Sequence, residues 1–381
     1  MPRVLQLFEP PDGGVAQQVL NLSTALAARG WEVEVAGPEE AVVYPELERA
    51  GIRPHRLPLR RDYGRPDVDA VALGRAIPLL RRRRPDLLHC HSTKAGVVGR
   101  LAAGVVGCPT LYSPHCWPFV GDLGVARRLF SWAAERALGP LTAAFVCVCE
   151  DERQRAIEAG VDSGARLWRV YNGCPPCPEG VEVDAELLAL RSGGPLAAAV
   201  TVLREQKGLH TLLEAAPRVF AALPEARIAI VGDGPLAGPL RARAGELGLD
   251  GDERFAFLAF DGPSSRHLRA LDAYVLPSSW EAFPIGVLEA LACGIPQVAT
   301  DVGGTSEAVD DETGVLVPPR EPAALADALV ALLSDDEHRR AMATASRARH
   351  RRWFTLDRMV TDTERVYAWV LGLDSRAGGS A

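Results

Sequence analysis

Short apolar runs, each followed by a loop and then a helical segment, recur along nearly the whole chain. Val4–Phe8 is the first such run, and a Pro/Gly-containing loop and a helical pattern over Val15–Arg29 follow it. Strands separated by helices join as right-handed βαβ units, and such units build parallel sheets. Further strands are predicted at Glu32–Ala36, Asp86–His89, Pro109–Tyr112 and Phe145–Cys149. The first part of the chain is therefore predicted to be a doubly wound α/β domain.

The alternation of predicted strands and helices stops between residues 171 and 192 and then starts again. Two segments of this stretch, which begin at Cys174 and at Ser192, are rich in Pro or Gly and are typical of linkers. The strands predicted after it are Leu196–Leu203, Arg227–Val231, Phe255–Phe257, Ala273–Leu276, Gln297–Ala299 and Gly314–Val317. A chain of 381 residues is long enough for two domains. We expect one over residues 1–180 and the other over residues 190–352, with a hinge near residues 175–195.

The net charge and the first residues of the chain disfavour nucleic-acid-binding, secreted and membrane-spanning proteins. The net charge is −7 and the sequence pI is about 5.7, which disfavours a dedicated nucleic-acid binder. The first residues lack the long apolar core and the cleavage site of a signal peptide, and no apolar run is long enough to span a bilayer. We therefore expect a cytoplasmic protein that binds no nucleic acid.

The eight cysteines are expected to be reduced in that compartment. Cys174 and Cys177 form a C-x-x-C with two prolines inside. A redox or zinc role for this pair is a minority interpretation, because no second pair has zinc-ribbon spacing. Cys147 and Cys149 alternate in an apolar strand pattern, which is typical of core packing.

Two doubly wound domains that face each other would bring two sets of strand ends to one cleft, and ligands bind outside the carboxyl ends of such strands. Gly13 and Gly14 follow the first strand and open the first long helix. Glycines allow the backbone to approach a ligand closely, and a helix N-terminus offers N–H groups to a phosphate. By itself, this pattern is also that of an ordinary βα turn.

Among the 42 basic residues only Lys94 and Lys207 are lysines. Lys207 comes shortly after a predicted strand and before a helix, with Arg204 three residues earlier. A cation at a helix N-terminus is suited to a diphosphate, and a solvated turn is the alternative. Gly232 and Gly234 follow the next strand, but they do not complete G-x-G-x-x-G and are weak support for a dinucleotide cofactor.

Two glutamates flank the start of a predicted helix over Ile285–Ala292. Glu281 precedes this helix, and Glu289 lies about one turn inside it. This placement brings two carboxylates to the start of one helix, where they can contact two parts of one ligand. The alternative is that Glu289 forms a pair on a surface helix, but its apolar neighbours indicate a buried helix, where a carboxylate needs partners.

Three histidines lie near predicted strand ends of the first domain. His89 and His91 alternate at the end of one strand, and His115 follows the next. Single histidines are more often structural, but three together favour a functional role, and their spacing is not that of a zinc site. The Arg81–Arg84 run is predicted to be a solvated helix end. Contact with anionic lipid, at the inner face of a membrane, is its minority interpretation.

The segment around Gly294–Pro319 carries A-C-G-I-P-Q-V-A-T-D-V-G-G and E-T-G-V-L-V-P-P. The other motifs that fit with it in order and spacing are Val170–Gly173, Lys207-Gly208, Val231–Pro235 and the pair Glu281/Glu289. Together these stretches, which cover nearly the whole chain, resemble the family-four retaining glycosyltransferases. His89–Gly96 and Tyr112–His115 resemble the bacterial exopolysaccharide-type members of that family.

This resemblance implies a GT-B fold, in which two Rossmann-like domains face a central cleft. It implies a nucleotide-diphosphate-sugar donor, no metal ion or other cofactor, and retention of configuration at the anomeric carbon. It also implies that a last helix, at about residues 355–375, packs back on the first domain.

The resemblance further implies a role for each matching residue. Lys207, Glu281 and His115 are expected to be catalytic, with Glu281 near the donor sugar and His115 near the transferred sugar. The residues expected around the donor phosphates are Gly13, Gly14, Arg204, Lys207, Phe283, Pro284 and Ile285, and those expected around the ribose and nucleotide are Glu289 and Gly232.

Two positions depart from the family pattern. Val202 occupies the place, five residues before the lysine, where the family usually has a second phosphate-binding arginine. Pro284 replaces a glycine that is often found after the phenylalanine, and a proline has no N–H to donate. Whether Arg204 takes over from the missing arginine is left open by the sequence.

We therefore expect a metal-independent, retaining glycosyltransferase of polysaccharide or glycoconjugate biosynthesis. Its acceptor would be a sugar, a lipid-linked molecule or a small molecule. The alternatives are another GT-B activity, such as a nucleotide-sugar epimerase or a phosphorylase, and a non-catalytic nucleotide-sugar-binding protein. A dinucleotide-dependent oxidoreductase is disfavoured, because neither predicted sheet carries its glycine fingerprint.

Overall fold

The computed structural model of the chain describes residues 1–60 and 65–373, which divide into two compact units. Unit 1 consists of Met1–Gly173 together with the segment that begins at Leu356, and unit 2 consists of Cys174–Thr355. The chain leaves unit 1 at Gly173, earlier than the hinge expected near residues 175–195. The reason is that the backbone N–H of Cys174 already donates to the carbonyl of Phe354 in unit 2, at 3.0 Å.

Unit 1 is built on a parallel sheet that has seven strands within the described part of the chain, in the order β3-β2-β1-β4-β5-β6-β7. The strands are β1 (Arg3–Phe8), β2 (Glu32–Gly37), β3 (Pro54–Arg56), β4 (Leu87–His91), β5 (Thr110–Ser113), β6 (Ala144–Cys147) and β7 (Leu167–Arg169). The helices before the crossing to unit 2 are α1 (Gly13–Ala28), α2 (Tyr44–Arg49), α3 (Pro66–Arg83), α4 (Thr93–Val106), α5 (Val125–Leu138) and α6 (Glu150–Glu158).

Unit 2 repeats this plan with a parallel sheet of six described strands, in the order β10-β9-β8-β11-β12-β13. The strands are β8 (Leu196–Val200), β9 (Arg227–Val231), β10 (Phe255–Leu258), β11 (Ala273–Leu276), β12 (Gln297–Thr300) and β13 (Gly314–Val317). The helices are α7 (Ala185–Arg191), α8 (Leu209–Ala222), α9 (Ala237–Glu246), α10 (Ser264–Leu268), α11 (Ile285–Cys293), α12 (Thr305–Ala308), α13 (Pro322–Ser334) and α14 (Asp336–Trp353). The predicted doubly wound α/β class is confirmed.

The helices cover both faces of each sheet, so the central strands are buried throughout. All residues of β4 and of β8 are buried. Such strands appear in the sequence as continuous apolar runs, which is why they were predictable. The short strands β3 and β7 carry partly exposed polar residues, such as His55 and Arg169, and gave no such signal.

The last described helix, α15 (Leu356–Leu371), belongs to unit 1. Its buried residues recur with helical spacing on one face, and they join the core that β1 and α1 form. These residues are Met359, Val360, Thr363, Val366 and Tyr367. The last helix, which was expected at about residues 355–375, is separate from α14, because α14 ends at Trp353 and α15 begins at Leu356. The expected helix end near residue 375 lies outside the described residues.

In each sheet the strand order reverses direction at one point, between β1 and β4 in unit 1 and between β8 and β11 in unit 2. At such a switch point the loops after the two strands run to opposite faces of the sheet and leave a crevice, which is where doubly wound folds bind ligands. Within the described residues, no helix is both long enough and apolar enough to cross a bilayer.

Candidate functional site

Lys207 and Glu281 form an ion pair at the switch point of unit 2. Lys207 follows β8, Glu281 follows β11, and the lysine Nζ lies 2.5 Å from Oε1 of the glutamate. The side chain of Glu281 is only 7% exposed and that of Lys207 is 20% exposed. The structure thus brings together two residues that are far apart in the sequence and that were expected to touch different parts of one donor.

Two neighbouring polar side chains hold the carboxylate of Glu281 in place. The Ser278 hydroxyl donates to Oε1 at 2.7 Å, and the Gln206 amide donates to Oε2 at 3.1 Å. A buried carboxylate with three donors stays satisfied without water. The lysine ammonium has three N–H donors and gives one of them to Glu281, so it can also donate to an anionic ligand.

Glycines allow the loops around this pair to pack closely. Gly208 has φ +59°, and a Cβ at its position would lie 2.1 Å from the carbonyl oxygen of Pro277, after β11. Gly303 has φ +55°, and its Cβ would lie 2.1 Å from the carbonyl oxygen of Glu281. Any side chain at either position would push apart the backbone that carries Lys207 or Glu281.

Gly232 plays a similar packing role. It has φ +151°, and its Cβ would meet the carbonyl oxygen of Thr201 at 1.9 Å, so the loop after β9 lies directly on the loop after β8. This close backbone contact accounts for the glycine without any ligand. The expected contact of Gly232 with a nucleotide stays a prediction.

Helix α11 begins next to the ion pair, and Pro284 is its N-cap. The first N–H groups of a helix have no partner within the helix, and the helix dipole favours an anion at that end. Ile285 and Gly286 supply the first of these groups, whereas Pro284 has no N–H. The Phe283 ring is buried and lies 5.6 Å, centroid to centroid, from the ring of Phe354, so this side chain is part of the core.

Glu289 lies in the second turn of α11 and is half-buried. Burial raises the pKa of its carboxyl to about 7. A hydrogen bond with the Ser264 side chain has the opposite but smaller effect. Burial, together with the charge of Glu289, also raises the pKa of the Cys174 thiol. Glu289 is therefore a carboxyl group that changes charge near neutral pH.

The switch point of unit 1 holds a cluster of hydrogen-bonded rings. His91, at the end of β4, has its Nδ1 3.0 Å from Nε2 of His115 and its Nε2 2.7 Å from Oε1 of Gln6, on β1. His89 is bonded through Nδ1 to the Tyr367 hydroxyl of α15, at 2.7 Å. Burial lowers the pKa of His115 to about 4 and that of His89 to about 3, and it lowers the pKa of His91 well below its usual value.

The backbone at His115 adopts a conformation that L-residues rarely take. His115 has φ 54° and Cys116 has φ 107°. Glu152 holds this turn, because its Oε1 accepts the Cys116 N–H at 2.7 Å and its Oε2 accepts the Val148 N–H at 2.8 Å. Strained backbone that the surroundings hold in place is concentrated at functional sites, and His115 is the half-buried member of the histidine cluster.

Gly13 and Gly14 form the first turn of α1, after β1 at the same switch point. Gly13 has φ +76° with open space around its Cβ position, and Gly14 is exposed. No atom of the described residues therefore requires a glycine at position 13 for packing, although its positive φ favours one. Arg204, next to the turn that carries Lys207, is half-buried, and its contact with the donor phosphates stays a prediction.

The cysteines differ from the expectation. Cys177 forms a disulfide with Cys293, at the end of α11, and not with Cys174. Cys174 stays a buried thiol, with its Sγ 3.4 Å from Nε2 of His350. The expectation of eight reduced cysteines is therefore wrong for one pair, and no C-x-x-C spacing could show it because the partners lie 116 residues apart.

Among the described residues, one group has the ligand types of a metal site: Asp184, Asp261 and His267. Both ring nitrogens of His267 already have oxygen partners, Oδ2 of Asp184 at 2.9 Å and the carbonyl of Asp261 at 2.8 Å. The Asp184 carboxylate also caps α7 by accepting the N–H groups of Glu186 and Leu187. These partners give the group a structural role.

Known proteins resemble both units. Residues 13–173 match the model described as "Glycosyl transferase 4-like domain", and residues 182–349 match "Glycosyl transferases group 1". The chain is 31% identical over 379 residues to the D-inositol 3-phosphate glycosyltransferase of Xylanimonas cellulosilytica, covering 90% of this chain and 88% of the relative. It is 28% identical over 381 residues to the phosphatidyl-myo-inositol mannosyltransferase of Mycobacterium tuberculosis, covering 96% and 95% of the two chains.

A solved structure has the same fold. The Anabaena protein HepE in complex with UDP-glucose superimposes with a TM-score of 0.79 at 21% identity, over 96% of this chain and 99% of that one. The GT-B architecture expected from the sequence is thereby confirmed.

Proposed function

The chain belongs to the family-four glycosyltransferases, and we propose that it moves a sugar from a nucleoside-diphosphate sugar to an acceptor hydroxyl with retention of anomeric configuration. The observation that carries this proposal is the Lys207–Glu281 pair at the switch point of unit 2, beside the N-terminus of α11. A mobile cation and free helix N–H groups are what a leaving diphosphate needs. The UDP-glucose complex of the HepE relative supports a nucleotide-sugar donor.

In the proposed reaction the bond between the anomeric carbon and the diphosphate oxygen breaks, and its electron pair stays on the diphosphate. Lys207 and the first N–H groups of α11 stabilise the new charge, so the step needs no metal ion or other cofactor. The acceptor oxygen bonds to the anomeric carbon from the face that the diphosphate leaves, and its proton passes to a phosphate oxygen. Gly13 and Gly14 contribute N–H groups to the phosphates, and His115 receives a hydrogen bond from the transferred sugar.

The test is a donor panel, consisting of UDP- and GDP-sugars, first by thermal shift and then by hydrolysis with and without acceptors. We expect one donor to stabilise the protein, to be consumed faster when an acceptor is present, and to give a product whose anomeric configuration, read by NMR, matches the donor. Activity should survive EDTA. Strict dependence on manganese or magnesium would contradict the metal-free mechanism.

The same panel separates the alternative functions. An epimerase would change the donor sugar without an acceptor, and a phosphorylase would need inorganic phosphate. A non-catalytic binder would be stabilised by a donor that it never consumes, and Val202, in place of the usual arginine, is the feature that favours this last alternative.

The pKa of Glu289 predicts how donor binding depends on pH. Ribose hydroxyls donate to an ionised carboxylate, and this carboxyl loses its proton at about pH 7. Affinity for UDP or GDP should therefore rise with pH, by about tenfold between one unit below and one unit above that value. Titration calorimetry across this range is the measurement. Glu289→Gln should bind weakly with a flat profile, and an equally steep profile in that variant would show that another group is responsible.

We further propose that α5 places the enzyme on an anionic membrane surface, where a lipid-linked acceptor is available. Val125, Leu129 and Phe130 of this helix are 74%, 58% and 76% exposed, although all three are apolar. The helix rests on unit 1 through its other face, with Glu135 buried. The exposed Arg127 and Arg128 lie in the same turns and would meet lipid phosphates. The M. tuberculosis relative, whose name specifies phosphatidyl-myo-inositol, supports a lipid acceptor.

This contact predicts co-sedimentation with vesicles that contain phosphatidylglycerol and much weaker binding to vesicles of phosphatidylcholine alone. The double variant Leu129→Ser/Phe130→Ser should lose most of the binding. Val42→Ser/Val105→Ser, which changes two other exposed apolar residues of unit 1, is the matched control and should bind normally. If the first pair of substitutions instead abolishes a dimer and leaves vesicle binding unchanged, the α5 face contacts a second copy of the chain.

A further inference from the structure

The hydrogen bonds around His91 determine where its ring proton lies. The Nε2 of His91 faces the carbonyl oxygen Oε1 of Gln6 at 2.7 Å, and a carbonyl oxygen can only accept. Nε2 therefore carries the proton. Because burial keeps His91 neutral, its Nδ1 has only a lone pair. The Nε2 of His115, 3.0 Å away, must then donate to that lone pair.

The Gln6 amide is placed with its nitrogen towards Tyr367 and its oxygen towards His91. Its amide Nε2 donates to the Tyr367 hydroxyl at 2.9 Å, which leaves Oε1 for His91. The tyrosine hydroxyl in turn donates to Nδ1 of the neutral His89 at 2.7 Å. The His89 Nε2–H donates to the Ser113 hydroxyl at 2.8 Å. Each proton in this chain of hydrogen bonds has one donor and one acceptor, and all of them point the same way.

We propose that Gln6 and Tyr367 are positioning residues, which hold His115 in the tautomer that is protonated at Nε2 and leave its Nδ1 as a hydrogen-bond acceptor. Among the described residues, Nδ1 of His115 has no partner of its own, whereas Nε2 is engaged with His91. A neutral imidazole in this tautomer accepts a hydrogen bond from a sugar hydroxyl at Nδ1. This inference rests on the proposed function only for the identity of that ligand.

The backbone of His115 is held separately from its ring. Glu152 fixes the turn by accepting two backbone N–H groups, and the Trp117 indole N–H donates to the Glu152 carbonyl at 2.7 Å. Among the described residues, this chain of hydrogen bonds reaches the His115 ring through His91, and it reaches the strand before the turn through the bond of His89 with Ser113. The tautomer can therefore be changed at Tyr367 without removing the support of the backbone.

The variant that tests the proposal is Tyr367→Phe, which keeps the ring of α15 and removes the hydroxyl that orients Gln6. Its matched control is Tyr112→Phe. Tyr112 is equally buried in unit 1, and its hydroxyl donates to Glu135, which is not part of this chain of hydrogen bonds. We expect Tyr367→Phe to lower kcat by about tenfold with little change in the donor KM, less than the roughly hundredfold that loss of an acid–base group costs. Tyr112→Phe should leave kcat nearly unchanged.

The imidazole ¹⁵N chemical shifts distinguish a protonated from an unprotonated ring nitrogen and do not depend on activity. In protein labelled at histidine, the His115 signals are assigned as those that His115→Gln removes. In wild type we expect a protonated Nε2 and an unprotonated Nδ1, and in Tyr367→Phe a mixture of both tautomers. Gln6→Leu should give the same mixture, and Gln6→Glu, which again offers His91 an acceptor, should restore the wild-type signals.

A wild-type His115 that carries its proton at Nδ1 would overturn the proposal. So would a Tyr367→Phe variant with unchanged His115 signals, or one whose kcat falls no further than that of Tyr112→Phe while both remain folded by circular dichroism. If the wild-type protein transfers no sugar from any donor, the proposed function fails, while the nitrogen shifts still decide whether the tautomer is set in this way.

Discussion

Replacing Lys207 with alanine is expected to lower kcat by about a hundredfold, which corresponds to about 3 kcal/mol of transition-state stabilisation. The ammonium group is the charged donor beside the N-terminus of α11, and the leaving diphosphate gains negative charge as its bond to the sugar breaks. The interaction is stronger in the transition state than in the bound donor. The loss should therefore appear in kcat measured at saturating donor, with a smaller change in KM.

Lys207→Ala also leaves Glu281 without its cation, so stability must be measured beside activity. Ser278 and Gln206 still donate to the carboxylate, which limits the damage, and a thermal melt with the folded fraction determined will separate the two effects. Lys207→Arg keeps the charge but should also be poor, because a planar guanidinium does not replace a compact ammonium at this position.

Arg204→Ala is the comparison that identifies the phosphate-binding cation. Arg204 lies three residues before Lys207, and we expect its loss to cost less than that of the lysine. If Arg204→Ala lowers kcat as much as Lys207→Ala does, Arg204 has taken over the role of the arginine that is missing at position 202. If neither variant changes turnover, the diphosphate is bound elsewhere and the donor site assigned to unit 2 is wrong.

The sequence predicted the sheets well because their central strands are buried on both faces. β9 and β11, which lie inside their sheet, begin and end at the predicted residues, and so does the apolar edge strand β13. It could not show that Lys207 and Glu281 touch, since no spacing links residues that follow different strands. The strand order supplies that link: β8 and β11 are neighbours although two strands separate them along the chain.

The residues that the sequence did not reveal are mostly partners of the predicted ones. Gln6 is a fully buried polar side chain within the apolar run Val4–Phe8, and that mismatch was a usable signal. Tyr367 and Glu152 gave no signal in the sequence. Each lies in a helix, and only the packing of that helix determines which group its polar atoms contact. Sequence patterns predict elements, whereas long-range hydrogen bonds depend on how those elements pack.

Removing the disulfide between Cys177 and Cys293 is expected to lower the stability of unit 2 by about 4 kcal/mol. The bond closes a loop of 116 residues, and cross-linking so long a loop restricts the unfolded chain strongly. The double variant Cys177→Ser/Cys293→Ser should therefore unfold at lower denaturant concentration than wild type. A reducing agent should lower the wild-type midpoint to that of the variant and leave the variant unchanged.

The two units need not unfold together, so a probe confined to unit 2 is required. Hydrogen exchange followed by mass spectrometry provides one, and the faster exchange should be concentrated in α11 and in the residues around Cys177, which the bond joins. Cys108→Ser, which changes a half-buried free thiol of unit 1, is the control and should leave unit 2 unaffected. Wild-type protein whose unit 2 has the same midpoint and exchange with and without reductant would contradict the stabilising role of this bond.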